Sequence, residues 1–358
     1  MKVPKMRYAL AMSQLNLFPI PTVHAFHVSK TSYSCGGSSL RQHHHTTPIS
    51  TLRTKVMRKS FHTASTLNAR STFEPPTPPS FNGQAVFPDI NMKQVSSCSI
   101  ARNQDPNSVF VVTGASRGIG LQIVKDLMER SKGIIVACCR SPNDAEQLND
   151  FASLSKNPDR ILIHALDLEN QDTINEFATT LKERYNRVDV LFNVAGILGD
   201  GQSTPGPERS LRGMDREWAM KSFQVNYLGP MFLTQACAPM MRKKKDEPKS
   251  VICNLSARVG SISDNGLGGW ISYRASKSAL NQGTKTLALE LKRQGTYTIA
   301  LHPGTTDTDL SKPFQKNVRE DRLFPVDFTA ERMIDAVDCM DDSHTGGFYD
   351  WNGTALPY

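Results

Sequence analysis

The sequence predicts an α/β fold: a doubly wound parallel sheet in a single domain, preceded by a disordered N-terminal extension. Three observations carry this. From Ser108 onward, short apolar, β-branched runs alternate with helix-patterned segments, the arrangement of a parallel sheet with helices on both faces. A glycine turn, Thr113-Gly114-Ala115-Ser116-Arg117-Gly118-Ile119-Gly120, joins the first strand to the first helix. Charge is also uneven. Met1 to Ile100 holds 11 Lys/Arg against two acids, Glu74 and Asp89, for +9; the remaining 31 basic and 32 acidic residues leave −1. The near-neutral part, about 250 residues, suits one domain, and its charge argues against a nucleic-acid role. The boundaries drawn are 1–104 for the extension and 105–358 for the domain.

The strands fall at 108–113, 133–138, 160–166, 188–193, 250–256, 296–301 and 346–350. The first, Ser108-Val109-Phe110-Val111-Val112, is apolar throughout, as a strand buried on both faces must be. Leu121 to Met128 has helical apolar spacing, so the glycine turn opens a helix. Strand, glycine turn and helix together are the context of a dinucleotide site. Glycines let the backbone approach a pyrophosphate, and the helix N-terminus offers free amides and partial positive charge. The second strand, Gly133 to Cys139, ends in Arg140. An acid near this strand end is the usual partner of a ribose 2′-hydroxyl; Arg140 and Arg117 instead favour the 2′-phosphate, hence NADP(H) over NAD(H). The longest helices are expected near 214–241 and 273–293.

Ser272-Tyr273-Arg274-Ala275-Ser276-Lys277 places a Tyr and a Lys four apart, on one helical face. A free phenol titrates at about 10, and an adjacent ammonium favours phenolate. Moving it to near 7 takes about 3 units, or about 4 kcal/mol, a load that Lys277 and a nicotinamide cation would share. Such a tyrosine exchanges a proton with an alcohol or carbonyl near neutral pH.

With these motifs in order, the chain resembles the short-chain dehydrogenase/reductase family over Asn107 to Tyr358, in the branch whose turn reads TGxxxGxG, with a Rossmann-type domain. Within it, Leu255 to Ile262, Gly268-Gly269-Trp270 and Gly346 to Trp351 resemble the C-factor-like and sniffer-like carbonyl reductases. The resemblance implies that Gly114, Ser116, Arg117, Gly118, Ile119 and Gly120 cradle the cofactor. Asp167 and Leu168 would meet its adenine, and Asn193, Ala195 and Gly196 would form the turn after strand four. Pro303, Gly304, Thr305 and Thr308 would meet the nicotinamide carboxamide. Tyr273 would be the general acid/base, Lys277 would orient the ribose, and Asn226 would hold a proton-relay water. The family's Ser-Ser pair reads Ser256-Ala257 here. Alternating strand faces mean that the two point apart. Ser256 is taken as the assisting hydroxyl, with Ser261 a substitute and a site without any serine the remaining option. Homodimers or homotetramers through 214–241 and 273–293 are also implied.

Two long segments, Ile197 to Gly213 and Leu310 to Pro325, should shape the substrate pocket. Phe314, Leu323 and Phe324 suggest an apolar carbonyl or alcohol. No His/Cys cluster has ligand spacing, so no metal is expected. Cys138, Cys139 and Cys253 read as core residues in a reducing compartment. In the extension, Arg53 to Thr63 is basic and acid-free, with transit-peptide composition. This points to the mitochondrial matrix or plastid stroma, with a cytoplasmic protein carrying a plain disordered extension as the alternative. Tyr8 to Phe26 is too interrupted to span a membrane, and Glu74 to Pro79 reads as a linker. Against a reductase stand two other classes: an NAD(P)-binding signalling or sensing module without turnover, supported by Ala257, and an epimerase or dehydratase.

Overall fold

The computed structural model describes residues 73–77, 86–199 and 207–358. The chain divides into two units, Met1–Phe61 and His62–Tyr358, and every described residue belongs to the second. The targeting signal read at Arg53–Thr63 and the interrupted apolar stretch Tyr8–Phe26 lie outside the described residues, and so does Cys35.

In chain order the elements are α1 (Ser97–Gln104), β1 (Val109–Thr113), α2 (Gly118–Arg130), β2 (Ile134–Cys139), α3 (Glu146–Leu154), β3 (Ile161–Ala165), α4 (Gln171–Arg184), β4 (Val190–Asn193), α5 (Arg216–Phe223), α6 (Gly229–Cys237), β5 (Ser250–Leu255), α7 (Ile271–Leu291), β6 (Thr296–His302), β7 (Thr305–Thr306), β8 (Leu323–Phe324), α8 (Val326–Cys339) and β9 (Gly347–Asp350). Seven strands form one parallel sheet in the order β3-β2-β1-β4-β5-β6-β9. All seven expected strands are present. The order reverses between β1 and β4, so a crevice opens there at the strands' carboxyl ends. β7 and β8 pair separately beside that edge.

Strand side chains alternate between two cores. Phe110 and Val112 pack with α2 and α8, whereas Val109 and Val111 pack with α4 and α6. Cys138, Cys139 and Cys253 are buried free thiols, as expected of core residues. Among the described residues no helix is long and apolar enough to cross a membrane.

The structure differs from the sequence reading in two places. The single helix expected over 214–241 is α5 and α6 joined by a π turn, Gln224–Leu228, at Asn226. The folded unit also begins well before residue 105. Ile90 lies in the main core, and α1 docks on α8 through Arg102, whose guanidinium donates to Asp338 at 3.1 Å. Asn103 donates to both Asp338 oxygens. The described part of the stretch expected as a linker, 74–77, is met by the domain as well: Phe73 just before it packs tilted against Phe324 and edge-on against Phe328, and Arg322 donates to the Thr77 carbonyl at 2.9 Å.

Candidate active site

The crevice holds a cavity of about 1030 Å³ that runs from the β1–α2 turn to the β7–β8 segment. Its nucleotide end is built by backbone. Gly114 has φ +67°, and a Cβ there would meet the Ala195 Cα at 3.0 Å. A Cβ on Gly120 would lie 2.3 Å from the Gly114 carbonyl oxygen. Only glycine permits this fold of the turn. Thr113 Oγ1 fixes the facing loop by accepting from Val194 N at 3.0 Å and Ala195 N at 3.1 Å. No side chain caps the N-terminus of α2, so its amides face the cavity rim. These features fit a dinucleotide pyrophosphate: a glycine-walled cradle, free helix amides and two arginines at the mouth.

Gly114, Ser116, Arg117, Gly118, Ile119, Gly120, Arg140, Asp167, Leu168, Ala195, Gly196, Pro303, Gly304, Thr305 and Thr308 all line this cavity with Tyr273 and Lys277. Arg117 is 70% exposed and lies 3.6 Å from Asp309, leaving it available at the rim. Asn193 is the exception. It is buried at the end of β4, donating to Asn254 Oδ1 at 2.8 Å on β5, and is absent from the cavity wall. Its amide ties two strands together, and its successors Val194 to Gly196 form the wall.

Tyr273 and Lys277 lie on the first turns of α7. The Lys277 ammonium sits 5.8 Å from the centre of the Tyr273 ring and donates to the Leu255 carbonyl at 2.8 Å. Burial works against the expected lowering of the phenol: it pushes the Tyr273 hydroxyl up and Lys277 down, to about 7. Desolvation disfavours the charged form of each.

Ser256 lines the cavity with Tyr273, as expected of an assisting residue, but its hydroxyl already has a protein partner. The Ser256 hydroxyl is buried and donates to Asn281 Oδ1 at 2.6 Å. Ala257 packs against Tyr273, with Leu198, Trp270, Val259 and Phe314 around them. Ser261 accepts from Asp264 N and lies off the cavity. Asn226, buried in the π turn, spends its side chain on protein. Its Oδ1 accepts from Ile197 N at 2.8 Å and its Nδ2 donates to Ile197 O at 3.0 Å. It therefore clamps the loop after β4.

Sequence reasoning missed several residues. Glu208 accepts from Ser272 N at 3.1 Å and from the Ser272 hydroxyl, capping α7 just before Tyr273. It does so from a loop 64 residues upstream, which no local pattern shows. Trp270, in the left-handed region at φ 51°, stacks its ring near both Tyr273 and Phe314. A strained non-glycine residue beside a cavity is a common mark of a functional site. His302, Asp350 and Trp351 complete the wall.

The family model for short chain dehydrogenases matches residues 108–319. The chain belongs to that family. It is 31% identical over 171 residues to the C-signal protein of Myxococcus xanthus, covering 48% of this chain and 93% of the relative. Its fold matches the NADPH-bound carbonyl reductase from chicken fatty liver with a TM-score of 0.62 and 29% identity, covering 70% of this chain and 99% of that structure. The carbonyl reductase Sniffer of D. melanogaster matches with a TM-score of 0.62 and 28% identity, covering 71% and 100%. The protein is an oxidoreductase of the short-chain dehydrogenase/reductase type, with the Rossmann-like fold that binds NAD(P).

Proposed function

We propose that this protein is an NADPH-dependent carbonyl reductase in which Tyr273 is the general acid. The observation that carries this is the shared cavity: the glycine cradle with Arg117 and Arg140 at one end, and Tyr273 with Lys277 at the other. The bound nicotinamide supplies the hydride. Tyr273 donates its proton to the carbonyl oxygen as negative charge develops there, and burial keeps the hydroxyl in the protonated form that can donate. Lys277, held by the Leu255 carbonyl, steadies the ribose and restores the proton to Tyr273. Asn226 and Glu208 position the loop and the helix that carry these groups. The apolar cluster of Leu198, Val259, Trp270 and Phe314 takes the carbon skeleton.

The test mixes the full chain with NADPH or NADH and a panel of ketones, aldehydes and quinones. Loss of reduced nicotinamide is followed in the wild type and in Tyr273→Phe. NADPH consumption by the wild type alone, with NADPH binding retained in the variant, supports the reading. Binding without turnover on any carbonyl favours the sensing-module alternative, whose support is Ala257. We also read the basic N-terminal segment as an organelle address. Residues 1–72 fused to a fluorescent reporter should then deliver it to mitochondria or plastids, and a diffuse cytoplasmic signal would reject the address.

A further inference from the structure

The cavity contains a carboxylate that this chemistry does not use. Asp350 ends β9 and is only 1% exposed, yet it lines the cavity beside Trp351. It is the sheet partner of His302 at the end of β6, which lines the same wall. Among the described residues, its carboxylate accepts one hydrogen bond, from Trp351 N to Oδ1 at 2.9 Å, and forms no ion pair. Asp189, equally buried in the same sheet, shows the contrast. It is met by Arg187 at 2.7 Å, Lys243 at 2.6 Å and Val109 N at 2.8 Å. A buried carboxylate with one local donor is costly unless something else completes its shell. Burial raises Asp350 to about 6, while Arg258 and Arg322 pull it down. It therefore remains mainly ionised at neutral pH and acts as an acceptor.

We propose that Asp350 is a specificity residue that accepts a hydrogen bond from a hydroxyl group on the carbonyl substrate, making hydroxylated ketones or aldehydes the preferred substrates. The inference rests on the carbonyl-reductase reading. Charge selects the donor. Arg258, which is paired with Asp264 at 2.5 Å, and Arg322 lie within electrostatic range of Asp350, so two cations balance two carboxylates and the site favours neither an ammonium nor an anion. A neutral hydroxyl suits this balance. His302, pushed down to about 3 by burial and by Arg258, stays uncharged and adds no competing cation. Apolar contacts around Tyr273 hold the skeleton while the hydroxyl fixes its orientation.

The test measures kcat/KM with NADPH for a ladder of ω-hydroxy ketones of increasing chain length and for their deoxy parents, in wild type and Asp350→Asn. Asparagine keeps an oxygen for Trp351 N and turns a donor toward the cavity. The wild type should prefer the hydroxy ketone at one or more chain lengths. Asp350→Asn should lower kcat/KM for that ketone about 10- to 100-fold. The deoxy parent should change by less than about threefold, with KM for NADPH unchanged. No wild-type preference at any length overturns the proposal, and this arm needs no variant to fold. An equal loss on both members of a pair overturns it as well. So does a raised KM for NADPH, which would assign Asp350 to the cofactor. If no carbonyl turns over, the carbonyl-reductase reading fails separately. Calorimetric binding of the same ladder to NADP⁺-loaded protein then decides: preference for hydroxy members, lost in Asp350→Asn, supports the acceptor role, and equal binding rejects it.

Discussion

Tyr273 packs against Ala257, a residue with no hydroxyl, while the hydroxyl of the neighbouring Ser256, on the same cavity wall, is bound to Asn281. The residue packed on the proposed general acid therefore offers it no hydroxyl. A hydrogen-bond donor at a developing oxyanion contributes about 10²- to 10³-fold in rate. Ala257→Ser should place a hydroxyl next to Tyr273 and raise kcat by at least about tenfold, with little change in NADPH affinity. Ser256→Ala should leave kcat within about threefold, since the hydroxyl of this cavity-lining residue is already committed to Asn281. Steady-state kinetics on one carbonyl substrate checks both. A large loss in Ser256→Ala would restore Ser256 to the reaction.

Lys277 is buried beside Tyr273 with its protonation pushed down to about 7, against an ordinary value near 10.5. The sign follows from linkage. Above about pH 10.5 the lysine is neutral in both the folded and unfolded states and costs nothing. As pH falls from there to about 7, the unfolded chain gains a proton that the folded site resists, so stability declines, and below about 7 the penalty is constant. Lys277→Met should remove this penalty. The variant should be inactive yet more stable than wild type at neutral pH, by on the order of a few kcal/mol less the cost of leaving the Leu255 carbonyl unpaired. The advantage should shrink as pH rises toward 10.5. Denaturant unfolding at pH 6, 8 and 10 measures it.

The parallel sheet was legible because each strand, buried on both faces, appears as a short β-branched run bounded by turn residues. The glycine turn was legible because only glycine fits where Gly114 meets Ala195. Strand alternation predicts that Ser256 and Ala257 face apart, yet both line the cavity, because β5 ends at Leu255. What stayed hidden depends on distant partners. Arg102 reads as one more base in a basic tail, and only its contact with Asp338, 236 residues away, makes it part of the core. Glu208 sits in a loop and caps a helix 64 residues on. Spacing reveals that a lysine is near Tyr273 but not how thoroughly both groups are buried, and burial pushes the phenol up.

Arg140 at the end of β2 and Arg117 at the mouth of the glycine turn are two cations at the nucleotide end of the cavity wall. If they hold a 2′-phosphate, removing one should weaken NADPH and leave NADH nearly unaffected. Arg140→Ala should lower the NADPH:NADH ratio of kcat/KM by about 10- to 100-fold, the range for one charge-assisted, two-point contact. Arg117→Ala should have a smaller effect, because Asp309 already competes for that guanidinium. A ratio unchanged in both variants would show that the cofactor preference is set elsewhere.

The segment before residue 105 should be required for folding, although its composition resembles a dispensable leader. Arg102 is 1% exposed and paired with Asp338, while Asn103 completes the shell of the same carboxylate. Arg102→Met leaves Asp338 buried without its cation, and breaking such a pair costs about 3–5 kcal/mol. A protein starting at Ala101 loses half of α1 together with Ile90, which belongs to the main core. It should unfold at lower denaturant than a protein starting at residue 86, or fail to accumulate as soluble protein. A further start at residue 73 separates the remaining contribution. Phe73 packs on Phe324, which forms part of the cavity wall, so its loss should act chiefly on KM for the carbonyl and only weakly on the unfolding midpoint. Equal midpoints for starts at 86 and 101 would show that the docking of α1 adds nothing to stability.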